Sequence, residues 1–327
     1  MIDKGQLRGV HTLVPILTRP AGQSLGLRNA LTQHGIVSLD FPLIDIQPVT
    51  DYGDLDAALA TLERDAGAYA LVFFVSPNAI DQVFARAKDR GVDLSACLAA
   101  NRVQTIIAVV GPGSVRALAA HGITPVTHHI VAPAGALDEI DRQDAHSLHA
   151  TLSGAHAIRY DSEALWQALL DRVGAQVTSQ WFSGRTGLIL RGDGGREWLA
   201  DALRGAGMTV QAVATYTRAL PKADADTWAH IEGLVNRQQA LWVLSSSEGV
   251  RNLETLGCER YGSDPRNAAL KRCAVIVPHH RIADAASRAG FDTITNCGGG
   301  DANLLRVIRD VLTESERIAN ENGKPYA

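Results

Sequence analysis

This chain of 327 residues is short of cysteine, lysine and long apolar runs, and each shortage excludes something. Its four cysteines, Cys97, Cys258, Cys273 and Cys297, are scattered without a C-x-x-C pair. Neither a disulfide framework nor a zinc site is signalled, and buried free thiols are the expectation. The longest apolar runs, such as 68–75, are strand-sized and far short of a membrane span. The opening residues, MIDKGQLRGVHTLV, lack the apolar core and small-residue cleavage site of a signal peptide. A cytoplasmic protein with no membrane association is therefore expected. The net charge of −4, with no basic stripe, argues against nucleic acid as a partner. Of the 31 basic residues, 26 are Arg. A GC-rich genome explains that bias; the functional alternative is that Arg forks hold carboxylates in two-point geometry.

Several catalytic signatures are missing too. The run GPGSVR at 111–116 starts like a dinucleotide fingerprint, but Arg116 stands at the third glycine, and no G-x-x-x-x-G-K-[ST] loop exists. There is no G-x-S-x-G elbow for a serine hydrolase. No H-x-x-x-H pair or acidic cluster proposes a metal, and the adjacent His279 and His280 read as solvated turn residues. Neither metal nor coenzyme is expected.

What the chain does contain is a repeat. Residues 16–44 align with 188–216 at an offset of 172, matching Arg19 with Arg191, Gly22 with Gly194, Leu27 with Leu199, Leu31 with Leu203 and Gly35 with Gly207. Each copy reads as a buried strand, a turn bearing Arg and Gly, an amphipathic helix, a glycine stop and a second strand. Residues 70–84 pair with 240–254, setting Ser76 opposite Ser246, and 109–123 pair with 277–291, setting Gly122 opposite Gly290. Three matched pairs predict two similar lobes with a cleft between them. The length agrees, since domains of about 150 residues are usual.

Strand-like and helix-like runs alternate throughout, the pattern of parallel α/β sheets. Strands are expected near 13–18, 71–76, 106–110, 187–191, 241–245 and 274–277. The pattern loosens over 124–183, which should hold one more strand, a helix near 162–173 and an irregular excursion of no evident function. A helix is expected over 301–322, with 323–327 frayed. The extended segments 38–48 and 209–220, if they cross between lobes as a pair, make the domains discontinuous: 1–42 with 218–327, and an inserted 43–217.

In open parallel sheets, ligands lie beyond the C-terminal ends of the strands. The loops there carry Thr18-Arg19-Pro20, Ser76-Pro77-Asn78, Gly111 to Ser114, Arg191 to Arg196, Ser245 to Ser247 and Pro278 to Arg281. Hydroxyls, glycines that expose backbone N–H groups and Arg make such ends anion sites, although the same residues also serve as ordinary caps and turns. Tyr216 is the one candidate acid. A phenol, with an ordinary pKa near about 10, can donate a proton to a leaving hydroxyl at neutral pH. Its plain alternative is an amphipathic edge residue with its hydroxyl in water.

Together these motifs resemble the uroporphyrinogen-III synthase family. The family pattern stands here as Thr18-Arg19-Pro20, Ser76-Pro77-Asn78-Ala79-Ile80, Val110 to Ser114, Leu188 to Gly207, Val213 to Arg218, Ser245 to Val250 and Pro278 to Ala286. The resemblance spans about 13–312, and its most specific part is R-G-x-G-G-R followed by the tyrosine strand. It implies an α/β fold of two parallel-sheet, flavodoxin-like lobes joined by a two-segment β linker. It also implies a reaction: closure of hydroxymethylbilane, a linear tetrapyrrole polycarboxylate, with inversion of ring D and loss of water.

By resemblance Tyr216 assists departure of the hydroxyl. Arg19, Ser76, Asn78, Ser114, Arg191, Gly192, Gly194, Arg196, Ser245, Ser246 and Arg281 become substrate contacts, some of the arginines being structural. Val75 stands in place of the usual Thr, and Glu248-Gly249 replaces a neutral pair, placing a carboxylate near a polyanion. A monomer is expected, in transient contact with hydroxymethylbilane synthase. Two readings from other classes stay open: a two-lobed anion sensor without catalysis, for which Tyr216 would be dispensable, and a nucleotide-dependent transferase, against which the broken glycine motif argues.

Overall fold

The computed structural model describes residues 13–99, 104–137, 160–174, 178–195, 197–222 and 224–322. The sequence-based expectations for 138–159 and 323–327 therefore lie outside the described residues.

Eleven strands are described: β1 (Val14–Leu17), β2 (Leu39–Asp40), β3 (Asp45–Pro48), β4 (Leu71–Phe74), β5 (Ile106–Val109), β6 (His129–Val131), β7 (Thr186–Gly192), β8 (Thr209–Ala219), β9 (Ala240–Val243), β10 (Ala274–Val277) and β11 (Ile294–Asn296). Each of the six strands expected from sequence is among them, its ends within a residue or two. The helices at Ser162–Val173 and Asp301–Asn322 also stand where the pattern placed them.

The chain divides into two compact units, one of Met1–Asp45 with Ala219–Ala327 and one of Ile46–Arg218. In the first, the strands lie in the order β11-β10-β9-β1-β2, and every pair is parallel. Numbered within that unit along the chain, this is 2-1-3-4-5, the flavodoxin-like order. In the second, the order is β3-β8-β7-β4-β5-β6, with β8, β7, β4, β5 and β6 mutually parallel.

The sequence repeat explains the second sheet. Its copies equate β7 with β1, β4 with β9 and β5 with β10; with β8 taken as β2 and β6 as β11, the spatial order becomes 2-1-3-4-5 again. The two units share one arrangement, entered at different points of the chain, and β3 extends the second sheet at its β8 edge.

Parallel sheets bury both faces, so their strands are apolar throughout and alternate residues feed different cores. In the first unit Ile16, Trp242, Val275 and Val277 face one core, where Phe41 meets Trp228 edge-on at 5.1 Å. Leu17, Leu241, Val243 and Ile276 face the other, covered by Leu27, Leu31 and Ile308 from two helices. The second unit repeats this, with Val72, Phe74, Ile107 and Val109 against Ile80 and Leu118 on one side. Leu71, Phe73, Ile106 and Ile189 lie with Leu165 and Leu203 on the other.

Candidate functional site

Chain reversals beyond the C-terminal strand ends set up the candidate residues. After β4 and after β9 the backbone stays extended for one serine and then coils into a helix. Ser76 (φ −157°, ψ 164°) caps the Pro77–Asp89 helix and Ser246 (φ −155°, ψ 152°) caps the Ser247–Tyr261 helix. Ser76 Oγ accepts from Ala79 N at 3.3 Å, and Ser246 Oγ accepts from Gly249 N at 2.9 Å. The repeated serines thus do the same local job, satisfying an N–H that the first helical turn leaves without a backbone partner. The loops after β5 and β10 turn at Gly111 and His279, which open the Pro112–Ala120 and His280–Arg288 helices.

In the second unit, three candidates meet. Tyr216, on β8, is fully buried. Its hydroxyl lies 3.0 Å from Ser76 Oγ and accepts from Arg218 Nη2 at 3.0 Å. The Arg218 guanidinium also stands 5.4 Å from the centre of the Tyr216 ring. The alternative in which this phenol projects into water does not hold.

Gly192 contributes by having no side chain. A Cβ there would come within 2.7 Å of Tyr216 Cε2 and Cζ. At this point β7 and β8 slip out of register between Arg191 and Gly192, so that Gly192 falls opposite Tyr216. Asp193 N donates to the Tyr216 carbonyl at 2.7 Å, and Thr215 Oγ1 donates to the Arg191 carbonyl at 3.1 Å. These bonds pin the slipped ends of both strands. Gly192, expected as a substrate contact, packs against the tyrosine ring.

Arg19 and Arg191 are engaged within the protein. Arg19 Nη2 bonds Asp301 Oδ1 at 2.6 Å, and Arg191 pairs with Glu197. The two repeat-matched arginines each hold a carboxylate at the start of a helix. Gly194 takes φ +74°, a conformation glycine adopts freely, and faces open space. Arg196 lies outside the described residues. Asn78 is in the first turn of the helix capped by Ser76, and Ser114, inside the Pro112–Ala120 helix, is buried.

In the first unit Ser245 precedes the Ser246 cap, and Ser247 Oγ donates to the Arg281 carbonyl at 3.3 Å, tying two helix starts together. Arg281 is exposed, and its backbone N–H donates to His279 Nδ1 at 3.1 Å. Among the described residues, no group of three or more His, Cys, Asp and Glu side chains could hold a metal ion. No helix among them is long and apolar enough to cross a membrane.

Arg218 stands in the sequence pattern only as the end of the 213–218 motif, with no role, although a signal exists: residues i and i+2 of a strand share a face, so Tyr216 and Arg218 point the same way. Thr18, whose Oγ1 donates to the Val243 carbonyl at 2.7 Å, was likewise visible only as part of its loop.

Residues 26–296 match the family described as Uroporphyrinogen-III synthase HemD. The chain belongs to this family. Its members are cyclising lyases of heme biosynthesis, and the resemblance of the motifs is accounted for. The chain is similar to the uroporphyrinogen-III synthase of Salmonella typhimurium, with 28% identity over 304 residues, covering 90% of this chain and 99% of that protein. Among solved structures it matches a mutant uroporphyrinogen III synthase from the extremely thermophilic bacterium Thermus thermophilus, with 15% identity, 92% and 99% of the two chains covered and a TM-score of 0.48. It also matches the Helicobacter pylori 26695 uroporphyrinogen-III synthetase, with 11% identity, 91% and 99% coverage and a TM-score of 0.46.

Proposed function

We propose that this chain closes hydroxymethylbilane to uroporphyrinogen III, with Tyr216 as the buried end of the group that assists loss of the hydroxyl. The observation that carries this reading is the fully buried phenol bonded to Ser76 and Arg218 at the end of the second unit's sheet. It belongs to a chain whose family is this one. Loss of the hydroxyl leaves an azafulvene cation. Attack by the substituted ring D carbon gives a spiro intermediate, which fragments and recloses with ring D inverted. Unaided closure gives the type I isomer, so the protein chiefly has to hold the substrate folded for the inverting attack, and positioning is the main catalytic term.

The substrate's acetate and propionate groups are anions, and helix starts are suited to them. Asn78 and Ser114 in one unit, and Ser245, Ser246 and Arg281 in the other, are the contacts of this reading, with Gly194 and Arg196 in the loop after β7. Arg19 and Arg191 reach a carboxylate of the substrate only by sharing or leaving Asp301 and Glu197. The discontinuous domains, 1–42 with 218–327 around 43–217, are part of the same reading, and the division of the chain at Asp45 and Arg218 supports them. So are a monomeric state, a cytoplasmic location and a transient contact with hydroxymethylbilane synthase.

Isomer analysis tests this. Hydroxymethylbilane is generated in the presence of the purified protein, and the oxidised products are separated as uroporphyrins I and III. A shift to the III isomer that Tyr216→Phe strongly reduces is expected. If only the I isomer forms, the protein binds anions without turning them over.

A further inference from the structure

Tyr216 does not face solvent, whereas Ser76, bonded to it, is only half-buried. That contrast, with the hydrogen bonds around the pair, determines which group can reach a substrate. A phenol carries one proton, and so does a serine hydroxyl. Arg218 has no acceptor, so its bond to Tyr216 Oη makes the phenol oxygen the acceptor there. Ala79 N–H likewise donates to Ser76 Oγ.

One bond remains to be oriented, the 3.0 Å contact between the two hydroxyls. Were Ser76 the donor, Tyr216 Oη would accept twice, and its own proton would be buried with no acceptor among the described residues, which is costly. With Tyr216 as donor every group is satisfied, and the Ser76 proton is left to point outward.

We infer that Ser76 is the catalytic residue that delivers the proton to the departing hydroxyl of hydroxymethylbilane, that Tyr216 resupplies it, and that Arg218 is a positioning residue for Tyr216. The inference rests on the activity proposed above. In the step, the carbon–oxygen bond breaks with its electron pair leaving on oxygen. The Ser76 proton joins that oxygen to make water as the Tyr216 proton moves to Ser76 Oγ. The phenolate so formed faces the Arg218 guanidinium, and it recovers a proton when the closing macrocycle sheds one. No oxidant, metal or co-reactant is needed.

Preformed hydroxymethylbilane, single turnovers and isomer separation supply the test. Ser76→Ala and Tyr216→Phe should each slow formation of the III isomer by about 100-fold, the range of general acid catalysis. The double variant should be no slower than the worse single one, because the two residues act as a unit. Ser76→Asn keeps the helix cap without the hydroxyl and should be as slow as Ser76→Ala, whereas Ser76→Thr keeps both and should restore most of the rate; the pair of variants separates the relay from a folding defect.

The wild-type rate in mixtures of H2O and D2O should fall along a curve, as two protons move together. A linear dependence, or a Ser76→Ala variant that raises KM and leaves kcat intact, would overturn the relay while leaving the activity standing. A wild-type protein that yields only the I isomer would overturn the activity, and the relay with it.

Discussion

Gly192 and the ring of Tyr216 lie in such close contact that a single added carbon on the glycine would come 2.7 Å from two ring atoms. Van der Waals contact between carbons needs about 3.5 Å or more, so one of the two must give way. Tyr216 cannot retreat freely, because its carbonyl is held by Asp193 N and its hydroxyl by Ser76 and Arg218. Gly192→Ala should therefore cost about 1–3 kcal/mol of stability, the usual price of overpacking, and slow formation of the III isomer together with it. Gly187→Ala is the matched control. A Cβ there meets Met208 Sδ, also at 2.7 Å, but at the other end of β7, against a flexible side chain. It should lower the urea midpoint modestly and leave the isomer ratio unchanged. An unaltered isomer ratio in Gly192→Ala would count against the placement of Tyr216 in the chemistry.

Much of the fold was open to reading because the repeat carries it. Offsets of 172, 170 and 168 between Arg19 and Arg191, Ser76 and Ser246, and Gly122 and Gly290 equate three stretches of one sheet with three of the other. Apolar strands and capping residues are local signals and survive divergence. The partners of the site residues are not local. Asp301 lies 282 residues from Arg19 and Ser76 lies 140 from Tyr216, so no spacing rule could have joined them. The arginines accordingly read as substrate contacts, some of them structural, with no way to name the carboxylates that folding sets beside Arg19 and Arg191. That Gly192 lies against the Tyr216 ring was not legible either, because the slip between β7 and β8 that sets it there leaves no mark in a pattern of alternating residues.

The matched serine caps lead to a second prediction. Ser246 Oγ accepts from Gly249 N at 2.9 Å, so Ser246→Ala should cost about 1 kcal/mol in urea unfolding, the ordinary worth of such a cap. Ser246→Asn, an equally good cap, should recover it. If Ser246 is also a substrate contact, the Ala variant should raise KM with kcat little changed. Loss of stability that Asn fails to restore would mean that the hydroxyl does something other than cap.

The pairing of Arg19 with Asp301 makes a third. Their side chains are 24% and 30% exposed, so the pair should contribute no more than about 1 kcal/mol, and Asp301→Asn should barely move the unfolding midpoint. The same change removes a negative charge and releases Arg19, so the affinity for an anionic substrate should rise. A lower KM in Asp301→Asn that disappears when Arg19→Gln is added would place Arg19 in binding. Additive effects of the two changes would confine the arginine to holding the start of the last helix.

Alkaline pH gives the fourth, through three groups that folding shields. Burial, reinforced by the bond Tyr261 donates to Glu232 at 2.9 Å, pushes the Tyr261 phenol up to about 12, and burial pushes the thiols of Cys273 and Cys297 up to about 11. Below the ordinary values of 9.0 for the thiols and 10.0 for the phenol both folded and unfolded chains keep these protons, and the stability is fully present. Above them the unfolded chain ionises first, so stability drains away as pH rises toward about 11 and then about 12. Urea midpoints measured from pH 8 upward should begin to fall near pH 9, and the fall should be shallower in Cys273→Ala than in the wild type. A thiol reagent at pH 8 should modify the exposed Cys258 first and reach Cys273 and Cys297 only in urea. Rapid labelling of either buried thiol in the folded protein would show that the cores open far more readily than their packing implies, and the alkaline loss of stability would then need another source.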